Sequence, residues 1–244
     1  MSVWHSLVNP ERMSVKEINR YLDHAVLKPE MTRQEAIGAI RLGLDYSVRT
    51  ACVRPCDIEL AVEMCRGTTT EVSCVLAFPH GCTLSAVKAD EARHLIAAGV
   101  DEIDMVVNFG FVRSGLWDEV VADIQAVTSV ARPAGVPVKV IFETAHLTLE
   151  EIKRATRCAI EAQADFVKTS TGFGGEGATV QQVQAMLDAG EDRIKVKPSG
   201  GIRDRARAEM FIEMGASRIG NGYTSTAAIC AGGGDVSRLA DGDY

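Results

Sequence analysis

Residues 164–201 read ADFVKTSTGFGGEGATVQQVQAMLDAGEDRIKVKPSGG, one complete strand, loop, helix and second strand. Ala164 to Thr169 and Arg193 to Pro198 are short runs in which apolar residues alternate with lysine. Between them, Val180 to Ala189 carries helical spacing. Thr179 followed by Gln182 spells a capping box, which satisfies orphan N–H groups of a first helical turn. A helical crossover between two strands returns the chain to the same sheet edge, so the strands run parallel.

The same unit recurs along the chain. Further strands are expected at Leu22 to Leu27, Ser47 to Val53, Glu71 to Ala77, Glu102 to Asn108, Pro137 to Glu143 and Ala216 to Gly220. Helical patterns separate and follow them: Arg33 to Leu44, Asp57 to Cys65, Ser85 to Ala98, Leu116 to Ala131, Leu149 to Ala162 behind a second box at Thr148 and Glu151, Arg203 to Met214, and Thr224 to Cys230. Eight units of about 26 residues fit a (β/α)8 TIM barrel better than a doubly wound sheet, whose strands are usually fewer and whose ligand crevice sits at one switch point. Residues 1–20 form an N-terminal extension in which Ser14 and Glu17 predict a short extra helix. Residues 21–231 are the single barrel domain, and the glycine-rich 232–244 reads as a mobile tail.

The chain has 244 residues, 46% hydrophobic and 24% charged, the balance of an ordinary globular protein. No apolar run approaches the roughly 20 residues a spanning helix needs, so no membrane association is expected. The net charge of -7 has the wrong sign for a nucleic-acid footprint. Residues 1–10 lack the basic and apolar regions of a secretory signal. The seven scattered cysteines then read as reduced thiols, and a cytoplasmic location is expected.

Strands of a closed parallel barrel have helices outside and packed side chains inside, so a strand charge has no routine solvent face. Lys139, Lys168, Lys195 and Lys197 break that rule. Period-two alternation puts Lys195 and Lys197 on the inward face. Lys139 and Lys195, placed deeper, are expected to pair with carboxylates among Asp104, Glu102 and Glu143. Lys168 and Lys197 stand at the C-terminal rim of adjacent strands, each ahead of a loop rich in glycine and hydroxyl groups, suited to an anion. Two such amines close together in a partly dry cavity disfavour each other's charge. Bringing one to a pKa of about 7 takes roughly 4 to 5 kcal/mol, within reach of burial plus a like charge. A neutral lysine in a pocket is the nucleophile of Schiff-base catalysis.

These residues resemble the deoxyribose-phosphate aldolase family, class I aldolases on a (β/α)8 barrel. The likeness runs through Asp23-His24-Ala25-Val26-Leu27-Lys28-Pro29, Ala51-Cys52-Val53-Arg54-Pro55, Phe78-Pro79-His80-Gly81, Asp101 to Val106, Ile141-Phe142-Glu143-Thr144, Lys168-Thr169-Ser170-Thr171-Gly172 and Lys197-Pro198-Ser199-Gly200-Gly201. It implies a lyase of deoxyribonucleotide catabolism that reversibly cleaves 2-deoxyribose 5-phosphate to acetaldehyde and glyceraldehyde 3-phosphate, with no metal or other cofactor. Its partners would be the sugar phosphate and the aldehydes, and its assembly a homodimer. Lys168 matches the Schiff-base lysine, Lys197 the lysine that lowers its pKa, Asp104 their acidic partner and Asp23 an aspartate beside Lys197. Thr171, Gly172, Gly200, Gly201, Asn221, Gly222 and Cys52 fall on the substrate and phosphate side, and Tyr244 matches a C-terminal tyrosine that reaches the site in some members. The chain departs from the family at Ala25, where a hydroxyl residue is common, and in Gly220 to Ser225, where Tyr223 is bulky; Glu176 adds charge to the glycine loop. An unphosphorylated sugar, another Schiff-base substrate, or a non-catalytic sugar-phosphate-binding barrel therefore stand as alternatives.

Three further patterns compete. His24, His80 and His146 follow strands and raise a metal-dependent aldolase, but no ligand spacing supports it, and Cys52 with Cys56 reads as small filler in that context. Gly172, Gly174 and Gly177 spell GxGxxG, yet the next strand ends in Lys197-Pro198 instead of the acidic residue a dinucleotide ribose needs.

Overall fold

The computed structural model describes residues 18–231. Eight parallel strands follow one another around the sheet: β1 (Leu22–Val26), β2 (Thr50–Val53), β3 (Glu71–Leu76), β4 (Glu102–Val106), β5 (Val138–Ile141), β6 (Phe166–Lys168), β7 (Lys195–Lys197) and β8 (Ile219–Gly222). β1 pairs with both β2 and β8. The remaining seam is closed by Ser217 N–H to Val196 O at 3.0 Å and Gly220 N–H to Pro198 O at 2.8 Å. The result is the expected barrel.

The helices are α1 (Arg33–Asp45), α2 (Ile58–Cys65), α3 (Ser85–Ala97), α4 (Phe109–Arg113), α5 (Trp117–Ala131), α6 (Leu149–Glu161), α7 (Val180–Gly190), α8 (Arg205–Glu213) and α9 (Thr226–Ala231). Both expected capping boxes form, at α6 and α7, and Thr32 with Glu35 makes a third at α1. Each fixes where a helix starts after the C-terminal rim of the barrel. At the opposite rim, Asp101 and Asp165 accept from Val72 N–H and Val138 N–H at 2.8 Å, tying each loop to the neighbouring strand.

Alternation sorts the side chains. Leu22 and Val26, Ala51 and Val53, Ile103 and Met105, and Val138 and Val140 face the helices and belong to the main apolar core. The inward positions are different: Asp23, Thr50, Ser73, Glu102, Asp104, Lys139, Lys168 and Lys197 are all buried. The middle of the barrel is thus filled by an ionic and hydroxyl network where branched aliphatics are customary.

Four expectations need correction. The eighth strand lies at 219–222, later than 216–220, because the weakly β-forming Gly220-Asn221-Gly222 is held by its ladder with β1. A Cβ at Gly220 would stand 2.5 Å from Ser199 Oγ, so glycine there admits the end of β7. Lys195 does not reach a buried carboxylate: it is exposed at the start of β7, with its ammonium 5.1 Å from the centre of the Phe166 ring. Glu143 pairs with no lysine, because its backbone turns left-handed (φ 55°) and its carboxylate accepts from Thr171. The short helix α4 was not foreseen. The Ser14–Glu17 helix, the 232–244 tail and Tyr244 lie outside the described residues. Among those described, no helix is long and apolar enough to cross a membrane.

Candidate active site

β4, β6 and β7 carry the chemistry into one place. Lys168 and Lys197 are register partners on adjacent strands. Their amines converge on one oxygen, Asp104 Oδ2, at 2.8 Å and 2.7 Å. Lys197 Nζ also meets Asp23 Oδ2 at 2.5 Å. Lys139 holds the other Asp104 oxygen at 2.7 Å and Glu102 at 2.5 Å. Arg218 closes the network from ahead of β8, gripping Glu102 with two nitrogens, at 2.6 and 3.1 Å, and Asp23 at 2.7 Å. Thr50 Oγ1 donates to Asp23 at 2.9 Å.

The environment separates the two rim amines. Burial pushes Lys168 below the ordinary lysine value; Asp104 opposes this and the Lys197 charge adds to it. Burial also presses on Lys197, but Asp104 and Asp23 together outweigh it and raise its pKa. Burial alone would lift Asp104; Lys139, Lys168 and Lys197 overcome that and hold its carboxyl well below the usual range. One amine is thus poised to be neutral and its neighbour to keep its proton. The dominant cause for Lys168 is desolvation, with the like charge of Lys197 secondary.

Above these groups opens a cleft. Of the residues expected from the sequence, it is lined by Asp23, Cys52, Lys168, Lys197, Thr171, Gly172, Gly200, Gly201, Asn221 and Gly222. Asp104 lies directly behind the two lysines. Ala25, Leu27, Ser199, Ile202 and Gly220 complete the lining. One wall, around Ala25, Leu27 and Cys52, is apolar, and burial pushes the Cys52 thiol up so that it stays protonated. The other wall is backbone from the loops after β6, β7 and β8.

Those loops are locked together. Ala178 N–H donates to Ser199 O and Gly200 O at 3.1 and 3.2 Å. A Cβ at Gly177 would fall 2.2 Å from Gly200 O, and one at Gly174 would fall 2.6 Å from the Glu143 carboxylate. The GxGxxG spelling therefore serves loop packing. The Thr171 hydroxyl donates to Glu143 and accepts from Phe173 N–H, so it reaches the cleft with its hydrogen bonds already engaged. Asn221 Nδ2 likewise donates to Thr226 Oγ1 at 2.8 Å. Tyr223 and Glu176 do not line the cleft.

Two of the three histidines are engaged away from the cleft. His24 Nε2 must donate to Ala39 O at 2.8 Å, leaving Nδ1 to accept from Thr226 at 2.7 Å. His146 stacks on Phe109, with centroids 5.5 Å apart. Arg218 was missed although it carries the signal that singled out the lysines, a charge within an expected strand.

A profile of the DeoC/LacD family of aldolases matches residues 50–232. The deoxyribose-phosphate aldolase of Lactiplantibacillus plantarum is 43% identical over 204 residues, spanning 84% of this chain and 95% of that protein. The enzyme of the same name from an Exiguobacterium species is 41% identical over 93% of this chain and all of its own length. Among solved structures, the chain is similar to an aldolase at 36% identity (TM-score 0.82; 88% of this chain, 95% of the other). It also resembles the deoxyribose phosphate aldolase of Aeropyrum pernix, described as a unique tetramer, at 25% identity (TM-score 0.83; 91% and 93%).

Proposed function

The chain belongs to the DeoC/LacD family of aldolases and is a class I aldolase, a lyase of 2-deoxyribose 5-phosphate; from that premise we propose that Lys168 is its Schiff-base nucleophile. The observation that carries the reading is the shared carboxylate oxygen: Lys168 and Lys197 both meet Asp104 Oδ2, and only Lys168 is pushed toward the neutral form.

The lone pair of the Lys168 amine attacks the aldehyde carbon of the open-chain sugar and gives a carbinolamine. Lys197, kept protonated by Asp104 and Asp23, supplies the proton with which hydroxide leaves as water, and an iminium ion forms. The C3 hydroxyl then gives up its proton through a water to the Lys197 amine, which the dehydration left neutral and which can return that proton to the enamine carbon. Its C–O bond becomes a carbonyl, the C2–C3 bond breaks, and that electron pair moves into an enamine on Lys168 nitrogen. Glyceraldehyde 3-phosphate departs. Protonation of the enamine carbon and hydrolysis of the resulting iminium release acetaldehyde and restore the amine. The apolar wall at Ala25, Leu27 and Cys52 suits the carbon that carries no hydroxyl.

Among the described residues, Lys168 and Lys197 are the only basic side chains lining the cleft, and both serve the network. Phosphate binding thus rests on backbone around Gly172, Gly200, Gly201 and Gly222. We expect 2-deoxyribose 5-phosphate to be cleaved with a higher kcat/KM than 2-deoxyribose, read from released acetaldehyde; equal values contradict the phosphate assignment. We further propose that the chain works as a homodimer. Light scattering at twice the 26.2 kDa chain mass supports that, and a monomeric or tetrameric mass refutes it.

A further inference from the structure

The network beneath the cleft contains three carboxylates, Asp23, Glu102 and Asp104, and four bases, Lys139, Lys168, Lys197 and Arg218. All are buried. An unbalanced charge in so dry a place is costly, whereas a neutral set is tolerated. The set balances when exactly one base is uncharged. Arg218 cannot deprotonate at ordinary pH, and Lys139 lies on two carboxylates at 2.7 Å or closer. Lys197 also bridges two, Asp23 and the shared Asp104. Lys168 has a single carboxylate contact among the described residues and borders the open cleft.

We propose that Arg218 and Glu102, which do not line the cleft, are positioning residues that set the charge of the Lys168 amine by fixing the charge balance of the barrel interior. Their influence passes through two routes of direct contacts: Arg218 to Glu102 to Lys139 to Asp104, and Arg218 to Asp23 to Lys197 to Asp104. The inference rests on the Schiff-base reading of Lys168 and adds the device that keeps that amine reactive. The other groups facing Lys168 are the Cys52 thiol from β2 and the members of the set already named. Near Arg218 stand Arg20, which also feels the partly exposed Arg49–Glu71 pair, and Lys195, which like Arg218 lies against the Phe166 ring. None of these four belongs to the buried set.

Removing a base should drive a proton onto Lys168, and removing a carboxylate should drive one off. A unit charge about 10 Å away in a medium of effective dielectric about 20 moves a titration by roughly one pH unit. The test is the pH dependence of adduct formation, with 2-deoxyribose 5-phosphate and cyanoborohydride as the probe and mass spectrometry locating the lysine. Relative to the unsubstituted enzyme, Arg218→Gln should move the midpoint up by about one unit and Glu102→Gln down by about the same amount. The double variant, again balanced, should return to the original midpoint, as should Arg218→Lys, which keeps the charge but loses the two-pronged grip. If Arg218→Gln fails to fold, the shift in Glu102→Gln and its reversal in the double variant decide. An unmoved midpoint in a folded single variant overturns the inference while leaving Lys168 as nucleophile. No adduct on the unsubstituted enzyme overturns that reading and the inference with it.

Discussion

Lys168 and His24 show how burial sets protonation with opposite local consequences. Lys168 is pushed toward its neutral form chiefly by desolvation, opposed by Asp104 and reinforced by the Lys197 charge. The pair of rim lysines was legible from alternation and loop composition, but the larger cause of the shift was not, because sequence carries no measure of dryness. His24 was legible only as a histidine in the first strand; its two hydrogen bonds, to residues 15 and 202 positions away, make it a satisfied core side chain. Burial pushes its pKa down to about 4. An unfolded chain takes up this proton below about 6.5, while the folded one stays neutral to about 4. The unfolded state therefore binds more protons in that window, and stability falls as pH falls through it, by about 3 kcal/mol in all. Urea unfolding from pH 7 to 4 should lose less stability in His24→Gln than in the unsubstituted protein by about that amount. Equal losses would contradict the neutral tautomer.

At the level of elements, the strand that carries Asp104 is fixed from outside the site. Lys88, on α3 and fully buried, donates to Val106 O at 2.9 Å and to Asp123 Oδ2 at 2.6 Å. The same Asp123 oxygen accepts from Asn108 N–H at 3.0 Å, and its other oxygen from Ser85. This clamp joins α3 and α5 to the C-terminal end of β4. Asp123→Ala strands a buried ammonium and an N–H group, so it should cost about 3 to 5 kcal/mol in urea unfolding. A cost under about 1 kcal/mol would show that the clamp bears little weight. Lys88 sits in a correctly expected helix, yet its burial was not readable, since an amphipathic pattern places a lysine on the solvent face by default. β8 was displaced for a related reason: glycines carry no pattern, and only the β1 ladder fixes them.

Across the whole molecule, the barrel, its eight strands and its rim lysines were legible because each rests on local periodicity. The interior network was legible only in part. Lys139 and its partners Asp104 and Glu102 were anticipated, whereas Arg218 was not, and Lys195 and Glu143 went to other partners. Alternation says which way a side chain points; it does not say which charge across a closed sheet will meet it. The outward faces supply stability through apolar packing against the helices, which frees the inner face to hold four bases and three carboxylates whose balance favours one neutral amine. The account turns on that amine being the one at position 168. The most direct measurement is peptide mapping by mass spectrometry after the enzyme is reduced with borohydride in the presence of 2-deoxyribose 5-phosphate. The account predicts a single modified lysine, Lys168, and none in Lys168→Met; modification at Lys197 or Lys139 instead, or an unmodified chain that still turns over substrate, would contradict it.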